Sequence, residues 1–270
     1  MTTPSVPHRF ELQLEVPGTP EQVWQAVATA QGISAWMMPT EIDAREGGSV
    51  VFNMGPDEMS RGRVTAAEVA RRLVYEEDWA SLVGQPGADV TPLVTEFLIE
   101  ARSGGTCTVR VVTSAFGTGA DWENEFWEEM DRGWAPMLDN LRLYLTHFPG
   151  QRATSLWAGS TFATAPEGAI AAVRDALGVR DVGDPVRARS VEGRLERSID
   201  RHFLLRVDGA TPGFLNFYSF GAEEGSAVHL QGYLFTDSAP AYVEREQPGW
   251  QSWLDGVAAG VAPAPSPAGG

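Results

Sequence analysis

Two acidic segments contain the carboxyl groups that could act as a general acid or base. Glu77 lies two residues before Trp79, and Glu125 lies between Trp122 and Trp127. A carboxyl group pressed against an indole in a dry pocket has a raised pKa and can donate a proton near neutral pH. The alternative is a solvated acidic surface, since runs of charge usually face water. Glu77 and Glu125 are therefore the catalytic candidates, and the sequence leaves both interpretations open.

The other reactive residues form no pattern that indicates a metal, a cofactor or a catalytic triad. All 20 basic residues are arginine, which excludes a Schiff-base lysine and a P-loop lysine. The four histidines are scattered without metal-binding spacing, and no G-x-S-x-G motif occurs. Cys107 is alone in an alternating segment, which predicts a buried thiol without a disulfide. We therefore expect no metal and no cofactor, and a binding protein is favoured over an enzyme.

Large aromatic and methionine side chains are the candidate ligand-binding residues. Such side chains offer wide, adaptable apolar surface of the kind that lines small-molecule pockets. The alternative is an ordinary filled core, because apolar side chains at helical spacing usually pack against one another. The candidates, which we expect to face inward, are Trp36, Met54, Trp79, Phe97, Phe116, Phe126, Trp127, Met130 and Trp134.

A strand, a capped helix and a series of further strands must position the first of these residues. Residues 9–16 alternate in polarity, which predicts a strand. Thr19, Pro20 and Gln22 have the spacing of a capping box at a helix start. Turns such as Gly55-Pro56 separate the later strands, which favours an antiparallel meander. These strands are predicted at Glu41–Arg45, Ser49–Met54, Ser60–Val69, Arg72–Trp79, Leu93–Ala101 and Thr106–Phe116.

A long helix is predicted at Asp121–Phe148, where apolar residues recur at helical spacing. Pro136 falls inside it and predicts a kink, or a joint between two parts of the helix. In the strand Arg72–Trp79, alternation would put Glu77 and Trp79 on one face. The helix and this strand would then form opposite walls of one interior.

A second and shorter unit is predicted at 151–262, after a first unit at 1–150. Its order of strand, helix, strands and terminal helix resembles a degenerate repeat of the first unit. The tail 263–270 is rich in Ala, Pro and Gly and is predicted to be disordered. We expect the final helix, Tyr242–Val261, to be interrupted at Pro248-Gly249. The other elements are predicted at Thr154–Phe162, Pro166–Leu177, Val186–Glu192, Arg194–Val207, Gly213–Phe220 and Ala227–Phe235.

Three segments of the first unit resemble the SRPBCC superfamily, also called START-like or Bet v 1-like. Pro20–Trp24 with Ile33 and Trp36 is similar to the opening motif of the family, and Gly47-Gly48 before Ser49–Met54 to its hairpin. The terminal helix motif is matched by Gly133, Trp134, Leu138, Leu141 and Leu145. Within the superfamily, the chain resembles the branch of the activator of Hsp90 ATPase.

The resemblance implies an α+β helix-grip fold, in which a curved antiparallel sheet wraps around a long C-terminal helix, here duplicated in tandem. Members bind apolar molecules between sheet and helix, some catalyse cyclisation or hydrolysis, and others bind chaperones. Three functions therefore stay open: a binding protein for a small apolar or amphipathic molecule, a chaperone co-factor, and a cyclase- or hydrolase-like enzyme. The first is our leading hypothesis.

Composition narrows the possible partners. The net charge of −16 disfavours binding to nucleic acid and to anionic membranes. No apolar stretch is long enough to span a bilayer, and no signal peptide is visible, so we expect a cytoplasmic protein. Residues 1–150 hold 22 of the 36 acidic residues, an asymmetry that would suit a protein partner.

Overall fold

The computed structural model describes residues 5–55, 58–222 and 225–261. The chain divides into two compact units, Met1–Arg152 and Ala153–Gly270. Pro56 of the predicted Gly55-Pro56 turn and the predicted disordered tail 263–270 lie outside the described residues.

The N-terminal unit consists of one seven-stranded antiparallel sheet and a long terminal helix. In chain order, its elements are β1 (Val6–Pro17), α1 (Pro20–Ala28), α2 (Ala30–Ile33), β2 (Thr40–Ile42), β3 (Ser49–Gly55), β4 (Glu58–Glu68), β5 (Arg72–Glu77), α3 (Trp79–Leu82), β6 (Leu93–Ala101), β7 (Thr106–Gly117) and α4 (Asp121–His147). The strand order is β1-β7-β6-β5-β4-β3-β2. The strands from β2 to β7 therefore pair consecutively, which confirms the predicted meander.

The predicted capping box is present at the start of α1. Thr19 Oγ1 accepts a hydrogen bond from the Gln22 backbone N–H at 3.4 Å, and Gln22 Oε1 accepts one from the Thr19 N–H at 2.9 Å. Further along, Trp36 Nε1 donates to the Ala26 carbonyl at 2.9 Å, and Asn140 Nδ2 donates to the Trp36 carbonyl at 3.1 Å. These bonds hold α1, the Trp36 turn and α4 together.

The two faces of the N-terminal sheet differ because successive side chains of a strand point to opposite sides. The outward face carries ion pairs, such as Arg63 with Glu76 at 2.8 Å and Arg110 with Glu11 at 3.3 Å. The inward face is apolar for most of its area, and Leu93 and Ala115 pack there with residues of α4. A ligand site between the sheet and the helix would therefore lie on the inward face.

The strand predicted at Arg72–Trp79 ends earlier, at Glu77. Asp78 then caps the short helix α3, since its carboxylate accepts hydrogen bonds from the Ser81 N–H at 3.2 Å and the Ser81 hydroxyl at 2.6 Å. Trp79 thus begins a helix, and strand alternation does not relate it to Glu77. The local capping preference of Asp78 overrides the strand pattern.

Helix α4 is continuous from Asp121 to His147, with Pro136 inside it. The prediction of a joint at this proline is therefore wrong, although its missing N–H leaves the carbonyl of Arg132 without its usual helical partner. The predicted apolar stripe is confirmed by burial. Its members Trp134, Leu138, Leu141 and Leu145 are buried, whereas Trp122, Phe126 and Met130 are half-buried.

The C-terminal unit repeats this plan with six strands. Its elements are β8 (Thr154–Phe162), α5 (Pro166–Ala176), β9 (Pro185–Ala188), β10 (Val191–Ile199), β11 (His202–Asp208), β12 (Gly213–Gly221), β13 (Ser226–Leu234) and α6 (Ala239–Ala259). The strand order is β8-β13-β12-β11-β10-β9, with every pair antiparallel. The predicted tandem helix-grip fold is therefore confirmed.

Two predictions for the C-terminal unit are wrong. The strands predicted at Val186–Glu192 and Arg194–Val207 are three strands, β9 to β11, because the chain turns without glycine or proline, once at Arg189 with φ of 55°. Helix α6 is not interrupted at Pro248-Gly249. At Gly249 a Cβ would lie 1.9 Å from the Arg189 guanidinium, so this glycine serves a close approach rather than a break.

The edge of the C-terminal sheet at β8 is closed by a side chain of α6. Gln251 Oε1 accepts from the Gly159 N–H at 3.1 Å, and Gln251 Nε2 donates to the Gly159 carbonyl at 2.7 Å. Gln247 Oε1 accepts from the Trp157 N–H at 3.1 Å. These amides take the place of a further strand and protect the exposed edge from pairing with another chain.

Candidate functional site

Four aromatic residues form a packed group, here called the tryptophan cluster, at the start of α4. Trp79 lies in its centre, with ring centroids 5.0 Å from Trp122, 4.9 Å from Phe126 and 6.0 Å from Trp127. The Trp79 ring is fully buried and its Nε1 donates to the Thr91 carbonyl at 2.8 Å. The predicted candidates Trp79, Phe126 and Trp127 thus meet, and their rings fill the space between them.

Three other candidates meet on the inward face further along the strands. The Phe97 ring lies 6.5 Å from Trp36 and 5.8 Å from Trp134. The Tyr75 ring, which was not a candidate, lies 6.4 Å from Phe97. Trp36 and Tyr75 are among the largest fully buried side chains, so this group also belongs to the core.

The remaining candidates lie at the margin or outside. Met54 and Met130 are half-buried. Phe116 was expected to face inward, but it is 49% exposed because Ala115 takes the inward position on β7. The catalytic candidate Glu125 is exposed on α4, whereas Glu77 is buried. Of the two carboxyl groups, only Glu77 has the dry setting that acid chemistry requires.

A row of polar side chains crosses the inward face between the two aromatic groups. Tyr75 on β5 lies opposite Thr95 on β6, and Thr95 lies opposite Thr113 on β7; these three residues are called the polar row. The Tyr75 hydroxyl hydrogen-bonds Thr95. Within the described part of the chain, Thr113 Oγ1 and Trp127 Nε1 are buried without a hydrogen-bond partner. Such groups are uncommon, since each costs about 1–3 kcal/mol when left unsatisfied.

Glu77 lies beside the polar row at the end of β5. Its register places it opposite Gly62, on the same face as Ser60 and Tyr75, and the Ser60 hydroxyl donates to its carboxylate. Burial raises the pKa of Glu77 to about 7, and the bond from Ser60 acts in the opposite direction. Burial, with the nearby charge of Glu77, also raises the pKa of Tyr75 well above its ordinary value.

A cleft of about 500 Å³ opens next to Glu77. One wall is formed by Arg61–Arg63 of β4 and the end of β5, and the other by the segment Gly87–Pro92. Glu77, Trp79 and Ala80 also line the cleft. Its size lies within the range of about 300–1,000 Å³ that is usual for small-molecule sites.

Glu123 is a second buried carboxylate, and its structural role was not predicted from the sequence. Its side chain is fully buried and accepts bonds from the Thr118 N–H at 2.9 Å, the Thr118 hydroxyl at 2.8 Å and the Gly119 N–H at 2.9 Å. His8 Nε2 lies 3.2 Å from Glu123 Oε2. Burial alone would raise the pKa of Glu123, but these bonds outweigh it and lower the pKa to about 2.

The position of Glu123 has a sequence signal that could have identified it. Gly117, Thr118 and Gly119 precede the helix, and a Cβ at Gly117 would lie 2.0 Å from Glu123 Oε2. A small-residue turn followed by a glutamate in the first helical turn is a helix-start pattern. Glu123 and His8 thus fasten β1, the turn and α4 together, while the His8 ring stacks on Trp127 at 5.2 Å.

Two absences complete the description of the site. Among the described residues, no group of three His, Cys, Asp or Glu side chains could hold a metal ion. No helix in the ranges given above is long and apolar enough to span a bilayer.

Cys107 is a buried free thiol, as predicted, and burial raises its pKa.

Residues 17–146 match the family described as "Activator of Hsp90 ATPase homolog 1-like protein". The N-terminal unit is therefore similar to this family. The match begins before α1 and ends inside α4, and it includes all three segments that resemble the SRPBCC superfamily. The predicted resemblance to the activator-of-Hsp90-ATPase branch of that superfamily is therefore confirmed. None of the curated proteins compared with the chain matches it.

Several solved structures are similar to this chain at low identity. MLL2253 from Mesorhizobium loti is 19% identical with a TM-score of 0.45, and the match covers 52% of this chain and 98% of that one. DynU16, from the dynemicin biosynthetic locus, is 13% identical with a TM-score of 0.43, covering 93% and 96% of the two chains. The di-domain ARO/CYC BexL from the BE-7585A pathway is 15% identical with a TM-score of 0.42, covering 95% and 99%.

Proposed function

We propose that the N-terminal unit binds a small apolar or amphipathic molecule between its sheet and α4. The observation that carries the proposal is the unused hydrogen-bonding capacity of two buried atoms, Thr113 Oγ1 in the polar row and Trp127 Nε1 on α4. A bound molecule with one polar group would satisfy these atoms and remove their desolvation cost. The surrounding rings would supply apolar contact.

The C-terminal unit supports this interpretation by contrast. On its corresponding strands, the inward row consists of Phe203 on β11, Phe217 on β12 and Leu230 on β13, paired in register. The Phe203 and Phe217 rings stack at 4.6 Å, and the surrounding cluster is apolar. The C-terminal sheet thus packs through an apolar row, whereas the N-terminal sheet also carries the polar row.

The tryptophan cluster is filled, so the molecule would lie beside it rather than within it. Phe126 and Met130 are half-buried on α4, on the side that packs towards the cluster. Methionine is unbranched and adapts its shape at low cost. The molecule would displace the Met130 side chain and reach the polar row, with the neighbouring cleft as its route of access.

Native mass spectrometry of the freshly purified full chain tests the proposal, before and after incubation with an extract of apolar small molecules. We expect a small non-covalent mass on the wild type. Thr113→Val, which is isosteric but lacks the hydroxyl, should lose it, whereas Thr161→Val, at an exposed position of β8, should keep it. A wild type without any adduct under both conditions would refute the proposal.

A second candidate, a chaperone co-factor, is favoured by the description of the matched family alone. The paired charges on the outward face of the N-terminal sheet would suit a protein partner, because such surfaces set specificity and association rate. Affinity purification at physiological salt, with identification of captured proteins, tests this candidate. Capture of no chaperone would remove it.

A further inference from the structure

We propose that the cleft beside Glu77 accepts an apolar cation, a molecule with a protonated amine on an aromatic or aliphatic body. The inference rests on the proposed function and adds the chemical class of the ligand. Its basis is a buried carboxyl group for which the chain provides a hydroxyl donor but no cation. Buried charges in proteins are paired, so a counter-charge is expected from the ligand.

Among the described residues, the side chains around Glu77 include no positively charged partner for its carboxylate. Ser60 donates to the carboxylate, and no arginine or histidine of the described residues forms an ion pair with it. Arg61 and Arg63 line the cleft, but register places them on the opposite face from Gly62 and Glu77. Arg63 is already paired with Glu76 at 2.8 Å. Neither guanidinium therefore neutralises the Glu77 carboxylate.

The remaining walls suit the body of such a molecule. The cleft is lined on its apolar side by Trp79, Ala80, Val90 and Pro92. Their apolar surface can contact the aromatic or aliphatic body of the ligand. The net charge of −16 would in addition raise the local concentration of cations around the protein.

The titration of Glu77 gives the inference a pH dependence. The other titratable or charged groups facing the cleft or Glu77 are Tyr75, Glu76, Asp78, Arg61 and Arg63. With a pKa of about 7, Glu77 is about one-tenth ionised at pH 6 and nine-tenths at pH 8. An amine of pKa near 10 stays protonated throughout this range. Its affinity should therefore rise about tenfold between pH 6 and pH 8, with proton release at the lower pH.

Isothermal titration calorimetry on the full chain tests the inference with three indole probes of similar size. These are tryptamine, a cation; tryptophol, its neutral hydroxyl analogue; and indole-3-acetate, an anion. At pH 8 we expect tryptamine to bind at least about tenfold more tightly than tryptophol, because one buried ion pair replaces a neutral hydrogen bond. Indole-3-acetate should bind most weakly.

Two glutamate variants provide the matched comparison. Glu77→Gln keeps the shape and the bond from Ser60, and it should abolish both the preference for tryptamine and the pH dependence. Glu100→Gln, at an exposed position of β6 outside the cleft, should retain both. Urea unfolding of each variant checks that the fold is kept, and the wild-type pH series is independent of either variant.

Several results would overturn the inference. They are equal affinity for tryptamine and tryptophol, tighter binding of indole-3-acetate, no binding of tryptamine at millimolar concentration, or an unchanged preference in Glu77→Gln. Each of these leaves the proposed function standing, because that function falls only if the native mass measurement finds no adduct.

Discussion

The Glu123 anchor gives a prediction whose size follows from the structure. Glu123→Gln keeps the side-chain shape but removes the charge that three donors and His8 contact. The fall in pKa from 4.5 to about 2 corresponds to roughly 3 kcal/mol in favour of the folded, ionised state, at 1.36 kcal/mol per pKa unit. Because glutamine retains one acceptor, we expect a loss of about 2–3 kcal/mol at pH 7.

The pH dependence follows from the direction of this change. A carboxylate with a lowered folded-state pKa contributes its full stabilisation above the unfolded-state pKa, and the contribution disappears as pH falls through the folded-state pKa. The advantage of wild type over Glu123→Gln should therefore shrink between pH 4.5 and about pH 2. At pH 3, less than half of this stabilisation should remain.

Urea unfolding followed by tryptophan fluorescence measures this difference, since six of the nine tryptophans lie in the N-terminal unit. Glu125→Gln is the matched control, because Glu125 is exposed on the same helix, and it should change stability by less than about 0.5 kcal/mol. A loss below about 1 kcal/mol for Glu123→Gln at pH 7, or an equal loss at pH 3 and pH 7, would refute the anchoring role of this carboxylate.

Three further predictions concern neighbouring features of the fold. Gly117→Ala should destabilise the N-terminal unit by about 1–3 kcal/mol in urea unfolding, because its Cβ would lie 2.0 Å from Glu123 Oε2; unchanged stability would contradict the contact. Thr113→Val should leave stability equal or slightly higher, since it removes an unsatisfied hydroxyl; a marked loss would indicate a hidden partner. Gln251→Leu should promote self-association in analytical ultracentrifugation, because it uncovers the backbone of Gly159 at an edge strand; a strictly monomeric variant would argue against this.

Much of the fold could be predicted from local patterns. Three predicted features each depend on a few neighbouring residues. They are the capping box at Thr19, the alternation of Leu93–Ala101 and the apolar stripe of α4. The wrong predictions concern segments in which a local sequence signal is absent or in which two such signals compete. The turn at Arg189 has no glycine or proline, and Asp78 ends β5 because capping overrides alternation there.

The candidate site was predicted less completely. Trp79, Phe126 and Trp127 were expected to face inward, and they do, but the sequence did not show that they contact one another. Phe116 faces outward because regular alternation along β7 places Thr113 and Ala115 inward. The sequence also did not show that Thr113 would be buried without a hydrogen-bond partner.

The sequence by itself determined the elements, their order, the tandem plan and the absence of lysine chemistry, because each depends on residues close together in the chain. Only the tertiary structure decided the environments of three glutamates: the catalytic candidates Glu77 and Glu125, and the anchor Glu123. Glu77, Glu123 and Glu125 have similar aromatic neighbours in sequence, yet the first has a pKa of about 7, the second has a pKa of about 2, and the third faces water. The reason is that a pKa depends on solvent and on the donors within a few ångströms, and for Glu77 and Glu123 these come from other strands and turns.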